Sequence, residues 1–141
     1  MNRLQQTIEE IPELAPPLSV VNAVKFAKQA YYNGNPNYYA LPTSQENSFI
    51  YPYLNNAKGT NQLITGYVDS TGQYGRITTY MKDIETEKME RIETYLREAM
   101  TKIFPEQRYG AEMTGKALLF LKGTKYLINN LILSLSLAIL L

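Results

Sequence analysis

The chain has few side chains with which to do chemistry. Among its 141 residues there is no His and no Cys, which removes imidazole bases, thiol nucleophiles, disulfides and the commonest zinc ligands together. Acid–base work is left to carboxylates. Asp69 and Asp83 stand at the ends of predicted strands, where a hydrolytic aspartate can sit, and turn or N-cap roles account for both equally well. The seven acids between Asp83 and Glu106 alternate with Lys88, Arg91, Arg97 and Lys102, as on a solvated helix surface. The glycines form neither GxxxxGK[ST] nor GxGxxG, so nothing points to a bound nucleotide. Catalysis, a metal and a cofactor are not expected. A net charge of +1 also lacks the basic field that nucleic acid requires.

Tyrosine is the one chemically useful residue that is concentrated. Eight of the twelve tyrosines fall between Tyr31 and Gly75, a stretch whose only charges are Glu46, Lys58 and Asp69. Tyr31, Tyr32, Tyr38, Tyr39, Tyr51 and Tyr53 offer apolar ring faces with polar tips, suited to lining a groove for hydrophobic or amphiphilic small molecules. Half-buried packing between local elements is the competing role for the same residues.

Helices and turns must position these rings. Leu4, Ile8 and Ile11 have helical spacing, Pro12 stops that run, and Pro16-Pro17 makes a stiff turn. Ser19 or Asn22 caps a second helix with Val20, Val24, Ala27 and Tyr31 on one face and Asn33-Gly34 as its left-handed stop. Thr43 to Glu46 fits a capping box before a short helix that Pro52 kinks or splits. Residues 62–69 and 74–82, flanking Ser70-Thr71-Gly72-Gln73, predict a hairpin. Met89, Ile92, Leu96, Ala99, Met100 and Ile103 make an apolar stripe over 84–104, with Asp83 as cap and Pro105 as terminator. Residues 107–113 read as a strand. The order helix, strand, hairpin, helix, strand fits a βαββαβ ferredoxin-like unit, in the α+β class, that lacks its first strand and carries a helical insertion at about 22–58.

The last stretch differs from the rest. After Lys125 no residue is charged, and Tyr126 to Leu141 is apolar around its whole circumference, with Ser134 and Ser136 as polar interruptions near the end. Sixteen residues fall short of the ~20 that span a bilayer, so residues 116–141 read as the start of a truncated transmembrane helix and 1–115 as the domain before it. Lys116, Lys122 and Lys125 are placed to meet lipid headgroups or to snorkel toward them.

Three strings carry a resemblance: SVVNAVKFAKQAYYNGNPNYYALP, DSTGQYGRITTYMKDI and YGAEMTGKALLFLKGTKYLINNLILSLSLAILL. They resemble the large extracytoplasmic loop of bacterial RND-superfamily exporters of the MMPL or patched-like type. The resemblance implies a ferredoxin-like porter subdomain on the periplasmic side of the inner membrane. It implies other porter domains of the same transporter as partners, and hydrophobic or amphiphilic substrates. Proton-relay carboxylates would then lie in spans outside this chain. Thr114-Gly115 corresponds to the TG pair that ends the last porter strand, a hinge between domain and membrane. A membrane-tethered protein-interaction domain, with the tyrosine-rich segment as its contact surface, is the alternative expectation.

Without a bilayer the apolar tail must bury its surface on the domain or on another copy. Truncation after Gly115 therefore reduces self-association in water, and unchanged light scattering would show that the tail is not its cause.

Overall fold

The computed structural model describes residues 1–56 and 64–140. Among the described residues five complete α-helices are present: α1 Asn2–Glu9, α2 Val20–Tyr31, α3 Asn47–Asn56, α4 Thr86–Ile103 and α5 Lys116–Leu140. A 3₁₀ turn, Pro36–Tyr38, lies between α2 and α3. The chain divides into two compact units, Met1–Tyr80 and Met81–Leu141.

The first unit is built on α2. Ser19 Oγ accepts from the Val21 amide at 3.0 Å, and Asn22 Oδ1 accepts from the Ser19 amide at 2.9 Å, so both residues cap the helix start. At its other end Asn33 and Gly34 take φ of 56° and 77°, and the Gly34 amide closes back on the Gln29 carbonyl at 2.8 Å. Val24 and Ala27 are buried as expected, but Val21 and Lys28 take the inward places expected for Val20 and Tyr31, so the buried face is turned by less than one residue. Val24 and Ala27 pack with Ile50 and Leu54 of α3, with Phe49 and Ile64 alongside. The Thr43–Glu46 box forms in both directions at 2.8 and 3.4 Å, and α3 runs unbroken through Pro52. Within α1, Gln5 is 2% exposed yet donates to the Pro17 carbonyl and Asn22 Oδ1 and accepts from Ser19 Oγ. Those bonds replace the water that it has lost.

The ferredoxin-like α+β expectation is overturned: among the described residues there are helices and no strand or sheet. Antiparallel pairing takes the form of isolated bridges, among them Val68 with Gly75 and Leu18 with Thr78. The first closes the Ser70–Gln73 turn, as a hairpin would begin. The following arm then turns to the segment at 15–18. Leu18 and Thr78 exchange both backbone bonds, at 2.8 and 2.9 Å, and the Ala15 amide donates to the Tyr80 carbonyl at 2.7 Å. Pro16 and Pro17, between those donors, have no N–H to give, so the ladder cannot extend. Residues 62 and 63 of the predicted first arm lie outside the described residues. The predicted strand 107–113 is also absent. Pro105 instead opens a turn that accepts from the Arg108 and Tyr109 amides at 3.0 Å each, and an exposed irregular segment follows.

In the second unit α4 and α5 pack together. Ile92, Leu96 and Leu121 are buried, while the rest of the α4 stripe is only partly covered. Glu85, not Asp83, occupies the N-cap position of α4, and its side chain makes no capping bond. Asp83 lies in a bend two residues earlier, too far back to cap. The helix α5 has 25 residues, about 37 Å at ~1.5 Å per residue, against a ~30 Å hydrocarbon core. By length and composition alone the whole helix is long enough to cross a bilayer. The apolar count began at Tyr126, whereas the helix begins at Lys116 and continues through Gly123. Its most apolar stretch is wholly unburied.

Ile50 is fully buried and Leu131 is 69% exposed, so the two sites separate packing from surface. Ile50→Ala costs about 2–5 kcal/mol in urea or thermal unfolding, and Leu131→Ala leaves unfolding of the chain in water nearly unchanged.

Candidate functional site

Lys28 lies one residue past Ala27 and four past Val24, on the face of α2 that packs inward. A lysine there needs an anion. Its Nζ meets Glu46 Oε2 at 2.7 Å, with only 9% of the lysine side chain and 15% of the glutamate exposed. The ammonium also donates to the Leu41 carbonyl at 3.5 Å. Glu46 Oε2 accepts from the Thr43 amide, and Oε1 accepts from the Tyr32 hydroxyl at 3.1 Å. The Lys28 hydrogen bond first, then the Thr43 amide, lower the Glu46 carboxyl to about 2 from an ordinary 4.5. Tyr32 moves upward, through desolvation and then its bond to Glu46.

This node positions the tyrosines. Tyr32 follows Lys28 by four residues, so both reach Glu46 from one side of α2. Tyr32 stacks on Tyr38 with centroids 4.0 Å apart, and meets Tyr31 edge-on at 5.4 Å. Tyr31 continues the chain of rings to Phe49 at 5.0 Å and to Tyr53 at 5.5 Å. Tyr31, Tyr32, Tyr38 and Tyr53 are thus brought together. Tyr39 stands apart from those rings: its hydroxyl accepts from Asn22 Nδ2 at 3.4 Å, and Lys25 Nζ lies 5.9 Å from its centroid. Tyr51 makes no ring contact among the described residues, because two helical positions from Tyr53 it points to another side of α3. Tyr31, Tyr38, Tyr39, Tyr51 and Tyr53 keep between 38 and 46% of their surface exposed. Of these, Tyr31, Tyr38 and Tyr53 belong to the connected set of rings and form an open face. An open groove of about 520 Å³ lies elsewhere, along α4, lined by Glu87, Glu90, Arg91, Thr94, Tyr95 and Glu98.

At the start of α5, Gly115 has φ of +131°, a backbone conformation that side chains disfavour, and its carbonyl accepts from the Leu119 amide at 3.1 Å. Thr114 beside it is exposed. Lys116 and Lys122 are exposed, while Lys125 pairs with Glu90 of α4 at 3.0 Å. Asp69 is a turn staple. Its carboxylate accepts from the Thr71 hydroxyl and amide and from the Tyr74 amide, and these bonds, Thr71 foremost, hold it below its usual range. A general acid needs the opposite shift. No group of three or more metal-ligating side chains occurs among the described residues.

Lys28 was not singled out from sequence, although a signal existed. It interrupts the apolar face of α2, and Glu46 is the only carboxylate between Glu13 and Asp69. Gln5 offered no comparable signal, because a glutamine near an apolar stripe is ordinary on a helix surface. In comparisons with known proteins, no family model, no curated protein and no solved structure matches this chain.

Glu46→Gln leaves Lys28 buried without its anion and destabilises the fold at neutral pH. The lowered Glu46 pKa makes its stabilising contribution full above about 4.5 and lost as pH falls through about 2. Between those values unfolding of the native chain is therefore steeper in pH than that of Glu46→Gln, which parallel urea titrations measure.

Proposed function

We propose that this chain is a membrane-tethered docking domain, held to the bilayer by α5 and presenting its tyrosine face to a protein partner. The observation that carries the reading is the 25-residue helix with no part of its apolar window buried. In water, apolar surface costs about 25 cal/mol per Å², and lipid removes that cost. Lys116, Lys122 and Lys125 lie at the near end of the charge-free stretch, where ammonium groups reach headgroups.

Support for docking comes from exposure. Tyr31, Tyr38 and Tyr53 are held in place by ring contacts while leaving much of their area open. Rigid aromatic groups of this kind make contact area at small entropic cost. The exporter-domain expectation, drawn from the three sequence strings, shares the membrane helix, but the ferredoxin-like sheet it implies is absent among the described residues. A tethered docking domain needs only the helix and the face.

Flotation with phosphatidylcholine vesicles tests the tether: the full chain floats and resists alkaline carbonate, and Leu131→Asp combined with Leu135→Asp does not. Peptide display against the vesicle-bound chain tests the face. Tyr31→Ser with Tyr53→Ser weakens selected binders by at least about fivefold, whereas Tyr95→Ser does not. Floating chains whose binders ignore Tyr31 and Tyr53 would remove the docking role and leave the anchor.

A further inference from the structure

The charge-free part of α5 contains polar side chains that a bilayer would leave without water. Ser134 Oγ already donates to the Asn130 carbonyl at 2.8 Å, and Ser136 stands in the same four-residue relation to the Ile132 carbonyl. The asparagines are different. An amide brings two donors and an acceptor, more than its own helix backbone absorbs, and neither Asn129 nor Asn130 makes a side-chain hydrogen bond among the described residues. Asn129 follows Lys125 by four residues, on the lysine side of the helix, within reach of headgroups and the water they hold. Asn130 has no such neighbour.

Helix phase shows which side Asn130 occupies. Leu121 is buried and Lys125 reaches Glu90, so these two mark the side of α5 turned to α4. At about 100° per residue, Asn130 lies roughly 180° from them, with Gly123 and Ser134 on the same line. Within the second unit, packing among the described residues leaves that line exposed. At Gly123 no atom lies within 4 Å of the point a Cβ would occupy, so another backbone can approach there.

We infer that α5 pairs in the membrane with a second copy of this chain, through the Gly123–Asn130–Ser134 line, with the two Asn130 amides hydrogen-bonded to each other. The inference rests on the membrane reading of α5 given above. A second copy is the occupant because an amide complements itself, its carbonyl accepting from the N–H that its twin donates. Two copies inserted with their domains on one side of the bilayer run parallel, which brings both Asn130 residues to the same depth. Small residues at the crossing allow the close approach such a bond needs.

The test uses the full chain in phosphatidylcholine vesicles, labelled at Ser44→Cys, an exposed site in a chain without cysteine. Energy transfer between donor- and acceptor-labelled copies is followed as lipid dilutes them. Saturable transfer is expected for the native chain, with the association constant lowered roughly 3- to 30-fold by Asn130→Leu. Asn130→Gln restores it, and Asn129→Leu leaves it unchanged. Transfer insensitive to Asn130→Leu, or equally lost in Asn129→Leu, overturns the pairing. Carbonate extraction of the same vesicles separates the two failures. A chain that stays inserted but transfers no energy refutes the self-pairing alone and leaves a different protein's helix as the partner. A chain that washes off refutes the pairing together with the tether.

Discussion

A polar group removed from water must keep partners, and the first unit is arranged around one such group. Lys28 enters the α2–α3 contact among Val24, Ala27, Ile50 and Leu54. Its charge is tolerable there because Glu46 lies 2.7 Å away and is itself fixed by Thr43 and Tyr32. The same carboxylate completes the cap before α3 and holds the ring that stacks on Tyr38. Cap, core contact and tyrosine face therefore depend on one side chain, and Lys28 and Glu46 cannot be altered separately without leaving a buried charge uncompensated.

Gln5 meets the constraint without charge. It is enclosed by the Pro17 carbonyl, Ser19 and Asn22, so the cap of α2 is joined to α1 by side-chain bonds. Leu4 and Ile8 on α1 are buried. The Pro16-Pro17 segment between the helices both contributes an acceptor and stops the Leu18–Thr78 bridge from growing into a ladder. The absence of a sheet and the seating of α1 thus trace in part to the same two prolines.

In α5 the backbone satisfies itself within the helix, as a bilayer requires. What distinguishes α5 from a core helix is the lack of cover: Leu121 alone among its residues is buried in the described structure. Its contact with α4 is confined to the lysine-bearing half, where Lys125 meets Glu90. In the proposed tether the half beyond Lys125 takes lipid as its solvent, with charge at the headgroups and leucines in the hydrocarbon.

Local signals were legible in the sequence where neighbours within four residues decide the outcome. The Ser19 and Asn22 cap, the Asn33-Gly34 stop and the Thr43–Glu46 box all form as their residue types predict, since each is a bond between nearby side chains and amides. The tyrosine concentration was legible too, but which rings meet was not, because the positions of Tyr31, Tyr32, Tyr38 and Tyr53 depend on how α2 and α3 are joined. The predicted sheet failed for a related reason. β-Branched residues at 74–82 express a preference for extended backbone, yet a strand needs a partner, and the partner here is a short proline-interrupted segment some sixty residues earlier. By itself the sequence determined the cap and stop of α2 and the box before α3, that imidazole and thiol chemistry are absent, and that the charge-free end is apolar, because composition and short-range bonding suffice for each. Only the tertiary structure decided that Lys28 faces Glu46, that the extended segments remain unpaired as a sheet, and that α4 covers one side of α5 and leaves Asn130 on the other, because each depends on contacts between residues far apart in the chain.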